Sequence, residues 1–239
     1  MVQKHKNQKT VKALSGNIKL FFFLTCFAVF AMPCVGQNQM SGEDGFIKLF
    51  NDENLDGWIG NKESYRAENG CIVVDPNGGG SGGNLFTEDQ YSDFILKFEF
   101  QLTPGANNGL GIHAPLDGDV AYVGKELQIL DNSAEKYSKL KPYQYHGSVY
   151  GVIPAKRGFL RPVGQWNMQM VTVQGSKIKV VLNGNIIVDG DFLEASKNGA
   201  MDKNEHPGLQ RTVGHIGFLG HGDVVRFKNI KIKELPSKK

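Results

Sequence analysis

Two polar side chains inside an apolar run are the strongest chemical signal in this sequence. Glu126 and Gln128 alternate with Leu127 and Ile129. In a β-strand, alternate side chains point to opposite faces, so the carboxylate and the amide share one face. Burying a polar group without a partner costs about 2–7 kcal/mol. The polar face is therefore expected to line an open groove, and the alternative is an ordinary exposed strand face.

A second stretch is predicted to form the floor of that groove. In the run from Asn108 to His113, Leu110 and Ile112 are expected to face the core, whereas Gly109, Gly111 and His113 share the other face. Glycine inside a strand often marks the close approach of a ligand or another backbone. A floor without side chains that ends in an imidazole fits a flat ring. The alternative is a β-bulge followed by a surface histidine.

The elements that must position these groups are short strands. About a dozen are predicted, with turn signals between them, and one is a hairpin around Asn69-Gly70. Residues 136–144 are expected to form a loop over one end of the sheet, and residues 146–152 a returning strand. Residues 191–213 are the only place where a short helix is expected. This pattern predicts an all-β protein, a two-sheet antiparallel β-sandwich with Greek-key or jelly-roll wiring.

The N-terminal segment is predicted to be a secretory signal. Five lysines precede an apolar run over residues 20–33, and small residues precede a cleavage point after Gly36. We expect a signal peptide over 1–36, a polar tether over 37–44 and a single β-sandwich domain over 45–236. The apolar run is shorter than the roughly 20 residues of a membrane span. The expected location is secreted, periplasmic or at the cell surface, and a lipid anchor on Cys34 is the alternative.

The charge and the cysteine content limit the possible binding partners and disulfide bonds. The chain has 27 basic and 24 acidic residues, and the five lysines of the leader leave 22 against 24 after cleavage. The remaining balance is slightly acidic, which argues against a nucleic-acid partner. Of the three cysteines only Cys71 follows the cleavage point, so no internal disulfide is expected and Cys71 should be a buried thiol.

Several short stretches keep a characteristic order between Gly45 and Leu235. They are Leu55-Asp56-Gly57-Trp58, Pro104-Gly105-Ala106-Asn107-Asn108-Gly109, Glu126-Leu127-Gln128-Ile129-Leu130-Asp131-Asn132, His146-Gly147-Ser148-Val149-Tyr150-Gly151 and Leu182-Asn183-Gly184. Together, through their order and spacing, they resemble the 3-keto-disaccharide hydrolase domain family. The resemblance implies a concanavalin-like jelly roll, secretion and a carbohydrate substrate.

The resemblance also implies a type of chemistry. A ketone at C3 of the sugar makes the C2 proton acidic, so elimination at C1 followed by hydration hydrolyses the glycosidic bond. This route needs a base, an acid and a group that stabilises the enolate. The expected catalytic residues are Glu126, His113 and His221. The residues expected to bind substrate are Gln128, Asp131, Asn108, His146 and Tyr150.

Three points stay open at this level. A divalent metal held by Glu126 and one or two histidines is possible, although the sequence contains no compact metal-ligand spacing. A non-catalytic, lectin-like carbohydrate-binding module is the alternative function, since the same fold serves both purposes. The sequence does not indicate an oligomeric state.

Overall fold

The computed structural model describes residues 45–74 and 83–236. The predicted signal peptide over 1–36 and the predicted tether over 37–44 both lie outside these ranges. Those expectations therefore stay predictions.

Thirteen strands and two short α-helices make up the described ranges. In chain order they are β1 (Ile47–Lys48), β2 (Trp58–Gly60), β3 (Tyr65–Glu68), β4 (Cys71–Val74), β5 (Gly83–Tyr91), β6 (Phe94–Leu102), β7 (Asn107–Ala114), α1 (Val120–Val123), β8 (Lys125–Leu130), β9 (Trp166–Gln174), β10 (Lys177–Leu182), β11 (Asn185–Asp191), α2 (Phe192–Ser196), β12 (Gly214–Gly220) and β13 (Val225–Glu234). Single 3-10 turns lie at Lys62–Ser64, Glu135–Tyr137, Pro142–Gln144 and Pro207–Gln210.

These strands form two antiparallel sheets. The larger has the order β11-β10-β9-β6-β13-β4-β3, with β1 also paired to β13, and the smaller has the order β2-β5-β12-β7-β8. The all-β, two-sheet antiparallel sandwich of the jelly-roll type is therefore confirmed.

The core lies between the two sheets and is rich in aromatic rings. On β6, Phe94, Phe98 and Phe100 are buried because alternate residues of the strand face inward. Phe218 of the small sheet stacks on Phe227 of the large sheet with ring centroids 3.7 Å apart. Each such ring contributes about 1.5–3 kcal/mol through removal of apolar surface from water. The sheets are thus held together by burial, and Cys71 is buried as expected.

The predicted hairpin is confirmed. Strands β3 and β4 pair in register around Asn69 and Gly70, whose φ angles are 51° and 72°. Positive φ at both central residues is the geometry of a type I′ turn, and Asn-Gly adopts it readily.

Two expectations about local structure are wrong. Residues 146–152 form no strand; Gly147 and Gly151 have φ of 82° and 75°, which interrupts an extended course. The segment is instead an irregular stretch that hydrogen bonds to β8: the N–H of Tyr150 donates to the carbonyl of Glu126 at 2.9 Å. A short helix also forms outside residues 191–213, since Asp119 caps α1 through the N–H of Ala121.

Candidate active site

A cleft of about 210 Å³ lies on the outer face of the small sheet. Strands β7 and β8 supply its floor, α1 forms one wall, residues 137–150 form the other, and the turn after β12 closes one side. The residues that line it are Asn107, Asp119, Ala121, Tyr122, Glu126, Gln128, Leu130, Tyr137, Leu140, Gln144, Tyr150 and His221.

Glu126 is the most unusual group on the floor. As predicted, it shares the outer face of β8 with Gln128, while Leu127 and Ile129 face the core. Only 7% of Glu126 is exposed, and its Oε1 has no hydrogen-bond partner within the described residues. A buried acceptor without a partner is expensive, so a site that keeps one is a candidate for ligand contact.

Gly109 makes room for this carboxyl. A Cβ added at Gly109 would lie 2.2 Å from Oε1 of Glu126, well inside van der Waals contact. The group that approaches this glycine is the side chain of Glu126, and not the ligand or backbone that the sequence pattern suggested.

Burial also changes the charge state of Glu126. Desolvation, with a smaller contribution from the carboxylate of Asp119, raises the pKa of Glu126 from 4.5 to about 8. The carboxyl is consequently protonated at neutral pH. It enters a reaction as a proton donor and becomes a base only after its proton has left.

Gln128 lies beside this acid with a fixed side chain. Its Nε2 donates to Oδ1 of Asn107 at 2.6 Å, across the neighbouring strand. The N–H of Asn107 in turn donates to the carboxylate of Asp223 at 3.0 Å, which ties the turn after β12 to the floor. The amide of Gln128 is therefore held in one orientation next to Glu126.

His221 belongs to that same turn. It is exposed at the side of the cleft. Desolvation lowers the pKa of His221, and the carboxylates of Asp119 and Asp223 oppose the change. A neutral imidazole accepts a proton, so the cleft combines a protonated carboxyl with a neutral imidazole. This pair is suited to general acid–base catalysis near neutral pH.

The walls of the cleft are aromatic. Tyr122 of α1 lies on one side, and Tyr137 and Tyr150 lie on the other. Gln144 orients Tyr150 by donating from Nε2 to the phenolic oxygen at 3.2 Å. Aromatic side chains offer apolar faces to the C–H surface of a sugar ring and hydroxyl groups to its polar edge.

A strap formed by residues 199–206 connects the two walls. His206 is buried, and its Nδ1 lies 3.0 Å from the carbonyl of Ala121 while its Nε2 lies 3.1 Å from the carboxylate of Asp202. The N–H of Asp202 donates to the carbonyl of Gly151, next to Tyr150, at 3.2 Å. The strap thus fixes α1 relative to the opposite wall.

His113 is not in the cleft, so the expectation that it faces the groove is wrong. Its φ of +48° and an irregular register between β7 and β12 break the alternation of the strand. The side chain turns inward, where Nε2 lies 2.8 Å from the carbonyl of Ser92 and Nδ1 lies 3.0 Å from Nζ of Lys125. Its ring also meets the edge of Phe94.

His146 and Asn108 are likewise corrections. His146 stacks on Phe100 at 5.0 Å inside the core, and burial lowers its pKa to about 4. Asn108 is fully buried opposite Ile129, because the strand alternation sends Asn107 to the cleft and Asn108 to the interior.

Asp131 lies outside the cleft as well. Its carboxylate accepts from the N–H of Gly105 and from the N–H and hydroxyl of Ser133. These bonds organise the turn after β8, so the side chain is occupied by the fold and lines a different cavity.

Among the cleft residues that sequence reasoning missed are Asp119, Tyr122 and Tyr137. Tyr137 lies in the loop expected over residues 136–144, and Asp119 and Tyr122 lie at a helix that was not expected there. The usable signal is an aspartate directly before Val120 and Ala121, which is typical of a helix N-cap. The strap residues Asp202 and His206 carry no comparable periodic signal.

Within residues 45–74 and 83–236, no group of three or more His, Cys, Asp or Glu side chains could hold a metal ion. Of the histidines considered for such a site, His113 and His146 are buried away from the cleft, and His221 lines the cleft together with Glu126. No helix in the same ranges is long and apolar enough to cross a membrane.

Comparison with known proteins identifies the family to which this chain is similar. The model of the family described as "3-keto-alpha-glucoside-1,2-lyase-like domain" matches residues 45–233. A protein of Bacteroides thetaiotaomicron named 3-keto-disaccharide hydrolase is 28% identical over 229 residues, which cover 80% of this chain and 79% of the relative. A crystal structure from Parabacteroides distasonis, described provisionally as a glycosyl hydrolase, has a TM-score of 0.69 at 28% identity and covers 80% of this chain and 99% of that one.

A more distant likeness concerns the fold alone. A carbohydrate binding module from Bacillus subtilis has a TM-score of 0.51 at 12% identity, with 74% of this chain and 96% of that chain covered. The family match, by contrast, spans both sheets and every strand that carries the cleft. The chain belongs to the 3-keto-alpha-glucoside-1,2-lyase-like domain family.

Proposed function

We propose that this protein is an enzyme that cleaves glycosides whose sugar carries a ketone at C3, and that the cleft on β7 and β8 is its active site. The observation that carries the proposal is the buried carboxyl of Glu126, whose Oε1 has no hydrogen-bond partner within the described residues, in a cleft that His221 also lines. The raised pKa of Glu126 and the lowered pKa of His221 agree with roles as acid and base. The names of the family and of the Bacteroides relative support the reaction class.

The first step is an elimination. The C2–H bond breaks, the proton moves to the imidazole of His221, and the electron pair forms a double bond between C1 and C2. The C1–O bond breaks at the same stage, and the leaving oxygen takes the proton of Glu126. The C3 ketone makes this possible because it delocalises the negative charge that develops at C2.

The second step is a hydration. Water adds at C1 of the conjugated ketone and gives one proton to the carboxylate of Glu126. C2 receives a proton from the imidazolium of His221, and that proton has exchanged with solvent because the residue is exposed. Both residues regain their starting states. The net change is hydrolysis, which is consistent with both a lyase-like family description and a relative named as a hydrolase.

The binding groups are assigned by their positions. Gln128, held by Asn107, is placed to contact a hydroxyl of the ring, and Tyr122 and Tyr150 bound the ring from either side. The volume of about 210 Å³ is below the roughly 300–1,000 Å³ of pockets that enclose drug-sized ligands. A single sugar ring therefore occupies the cleft.

Deuterium labelling tests the route. The protein is incubated in D₂O with a 3-keto-glucoside and, separately, with the same glucoside unoxidised. We expect release of the aglycone from the ketone only, with deuterium at C2 of the released sugar above the level that the free sugar acquires alone. Cleavage without deuterium at C2, or equal cleavage of the unoxidised glucoside, would contradict the elimination.

His221→Ala tests the proposed base, with Glu126 intact. The expected result is a loss of at least a hundredfold in kcat, since general bases contribute about 10²–10⁴-fold. Asp223 must remain, because it anchors the turn to the floor. Saturable binding of keto-sugars with no turnover by the wild-type protein would instead favour the carbohydrate-binding module.

Export is a further part of the proposal. The basic lead and apolar run before Gly36 support a cleaved secretory signal. N-terminal sequencing of protein from the producing cells is expected to begin at Gln37 or nearby. An intact Met1 on the mature protein would contradict export by this signal.

A further inference from the structure

A second cavity, of about 600 Å³, lies apart from the cleft at the end of β8. We call it the arginine groove. One side is the turn of Asp131, Asn132 and Ser133, and the other is the loop that carries Arg157 and Arg161. Neither arginine lines the cleft, so the groove is not part of the site described above.

The groove has an excess of positive charge. Neither Arg157 nor Arg161 forms an ion pair with a carboxylate of the described residues. Asp131, the acid that lines the groove, is occupied by three hydrogen bonds from Gly105 and Ser133, which help hold its pKa below the ordinary value although burial opposes them. The carboxylate is thus directed at the turn and forms no ion pair with either arginine. Two arginines against one aspartate leave the lining with a net positive charge.

Both guanidinium groups are oriented by the protein. That of Arg157 lies over the ring of Tyr145 at 4.3 Å, and Nη1 of Arg161 donates to the carbonyl of Trp166 at 3.0 Å. Each retains further N–H donors, and the planar fork of arginine matches the two oxygens of a carboxylate.

The arginine loop is anchored along its length. The N–H of Lys156 donates to the carbonyl of Ile187 at 2.9 Å, Asn183 donates to the carbonyl of Phe159 at 2.8 Å, and the N–H of Arg161 donates to Oδ1 of Asn167 at 2.9 Å. A loop held in this way loses little conformational entropy when a ligand binds.

The remaining residues that line the groove indicate which chemical groups the ligand carries besides its acid. Leu102, Leu160, Pro162 and Val163 supply an apolar surface. Asn132 accepts from the N–H of His146 through Oδ1, which leaves its amide N–H groups as donors for hydroxyls. Apolar contact, amide donors and a carboxylate site together match a sugar ring that carries an acid.

We propose that the arginine groove binds an acidic saccharide, with a uronate carboxylate at Arg157 and Arg161 and the C–H face of a ring on the apolar surface. The volume lies within the roughly 300–1,000 Å³ of ligand pockets and accommodates a short oligosaccharide. This proposal does not depend on the reaction proposed for the cleft.

Isothermal titration of the full chain with a trisaccharide of galacturonic acid tests the site. We expect saturable binding, at least tenfold tighter than for a neutral trisaccharide of glucose, that weakens as salt is added. The double variant Arg157→Gln/Arg161→Gln should weaken uronate binding at least tenfold. Lys156→Gln removes an exposed charge from the same loop outside the groove and should leave binding unchanged.

Three outcomes would overturn the proposal. They are no saturable binding of the uronate, equal binding of the neutral trisaccharide, or an equal effect of Lys156→Gln and the double variant. Circular dichroism tests whether the double variant is folded. If it is not, Arg157→Gln alone, which removes the guanidinium lying over the Tyr145 ring, must weaken binding. Glu126→Gln should bind the uronate normally, which separates failure here from failure of the proposed catalysis.

Discussion

Replacing Glu126 by Gln should stabilise the folded protein at alkaline pH, even though the residue is central to the proposed reaction. The carboxyl is 7% exposed, and its Oε1 has no partner within the described residues. Ionisation at this position requires a charge to be placed in a poorly solvated environment. Glutamine has nearly the same shape and never ionises, so the variant avoids that cost.

The sign and size of this change in the free energy of unfolding follow from the pKa of Glu126. The folded-state pKa of Glu126 is about 8 against an ordinary value of 4.5, so the folded state binds more protons than the unfolded state between these values. The stability contribution is complete below about pH 4.5 and is lost as the pH rises through 8. The difference corresponds to about 5 kcal/mol at ~1.4 kcal/mol per pKa unit. Water in the cleft shares the charge, so we expect a loss of about 2–5 kcal/mol.

Urea unfolding followed by tryptophan fluorescence, at pH 5 to 9, measures this quantity. The free energy of unfolding of Glu126→Gln minus that of the wild type should rise with pH by about 2–5 kcal/mol. Glu88→Gln, at an exposed position of β5, is the matched control, and its difference should stay flat. A flat difference for Glu126→Gln as well would refute the reasoning that burial raises the pKa of this carboxyl.

Three further substitutions test the surroundings of the acid. Gly109→Ala places a methyl group 2.2 Å from Oε1 of Glu126 and should lower kcat at least tenfold while the melting temperature changes little; unchanged kcat would show that the carboxyl need not lie on the glycine. Gly151→Ala forces a side chain at φ +75° against Asp202 and should reduce the free energy of unfolding by about 1–3 kcal/mol in urea titrations, whereas no reduction would contradict the contact. His206→Asn loosens the strap and should raise KM more than it lowers kcat, and a change in kcat alone would contradict a positioning role.

The sheet framework was accessible from sequence because strand alternation is a local property. The side chains of Phe94, Phe98 and Phe100 alternate with half-buried residues, and the face of Glu126 and Gln128 followed from the same rule. The hairpin at Asn69-Gly70 was accessible because turn chemistry depends on two residues.

The errors arose where the backbone departs from alternation. His113 has positive φ, which directs its ring into the protein interior. A pattern of apolar residues does not predict a single residue with irregular backbone geometry. His146 was expected on a strand. Instead, the segment turns at Gly147 and Gly151, which have positive φ, and the imidazole stacks on Phe100 inside the core.

The walls of the cleft were inaccessible for a different reason. Asp119 and Tyr122 meet Glu126 through tertiary packing of a four-residue helix, and the strap joins residues 121 and 206 across a long stretch of chain. Such contacts depend on the path of the whole chain, so spacing along the sequence does not encode them.

The most direct test of the central claim is the initial rate of aglycone release from a 3-keto-glucoside by the wild type and by Glu126→Gln at neutral pH. The account predicts turnover by the wild type and a loss of at least a hundredfold in the variant, with the sugar still bound. Equal rates from the two folded proteins would contradict the role of this carboxyl.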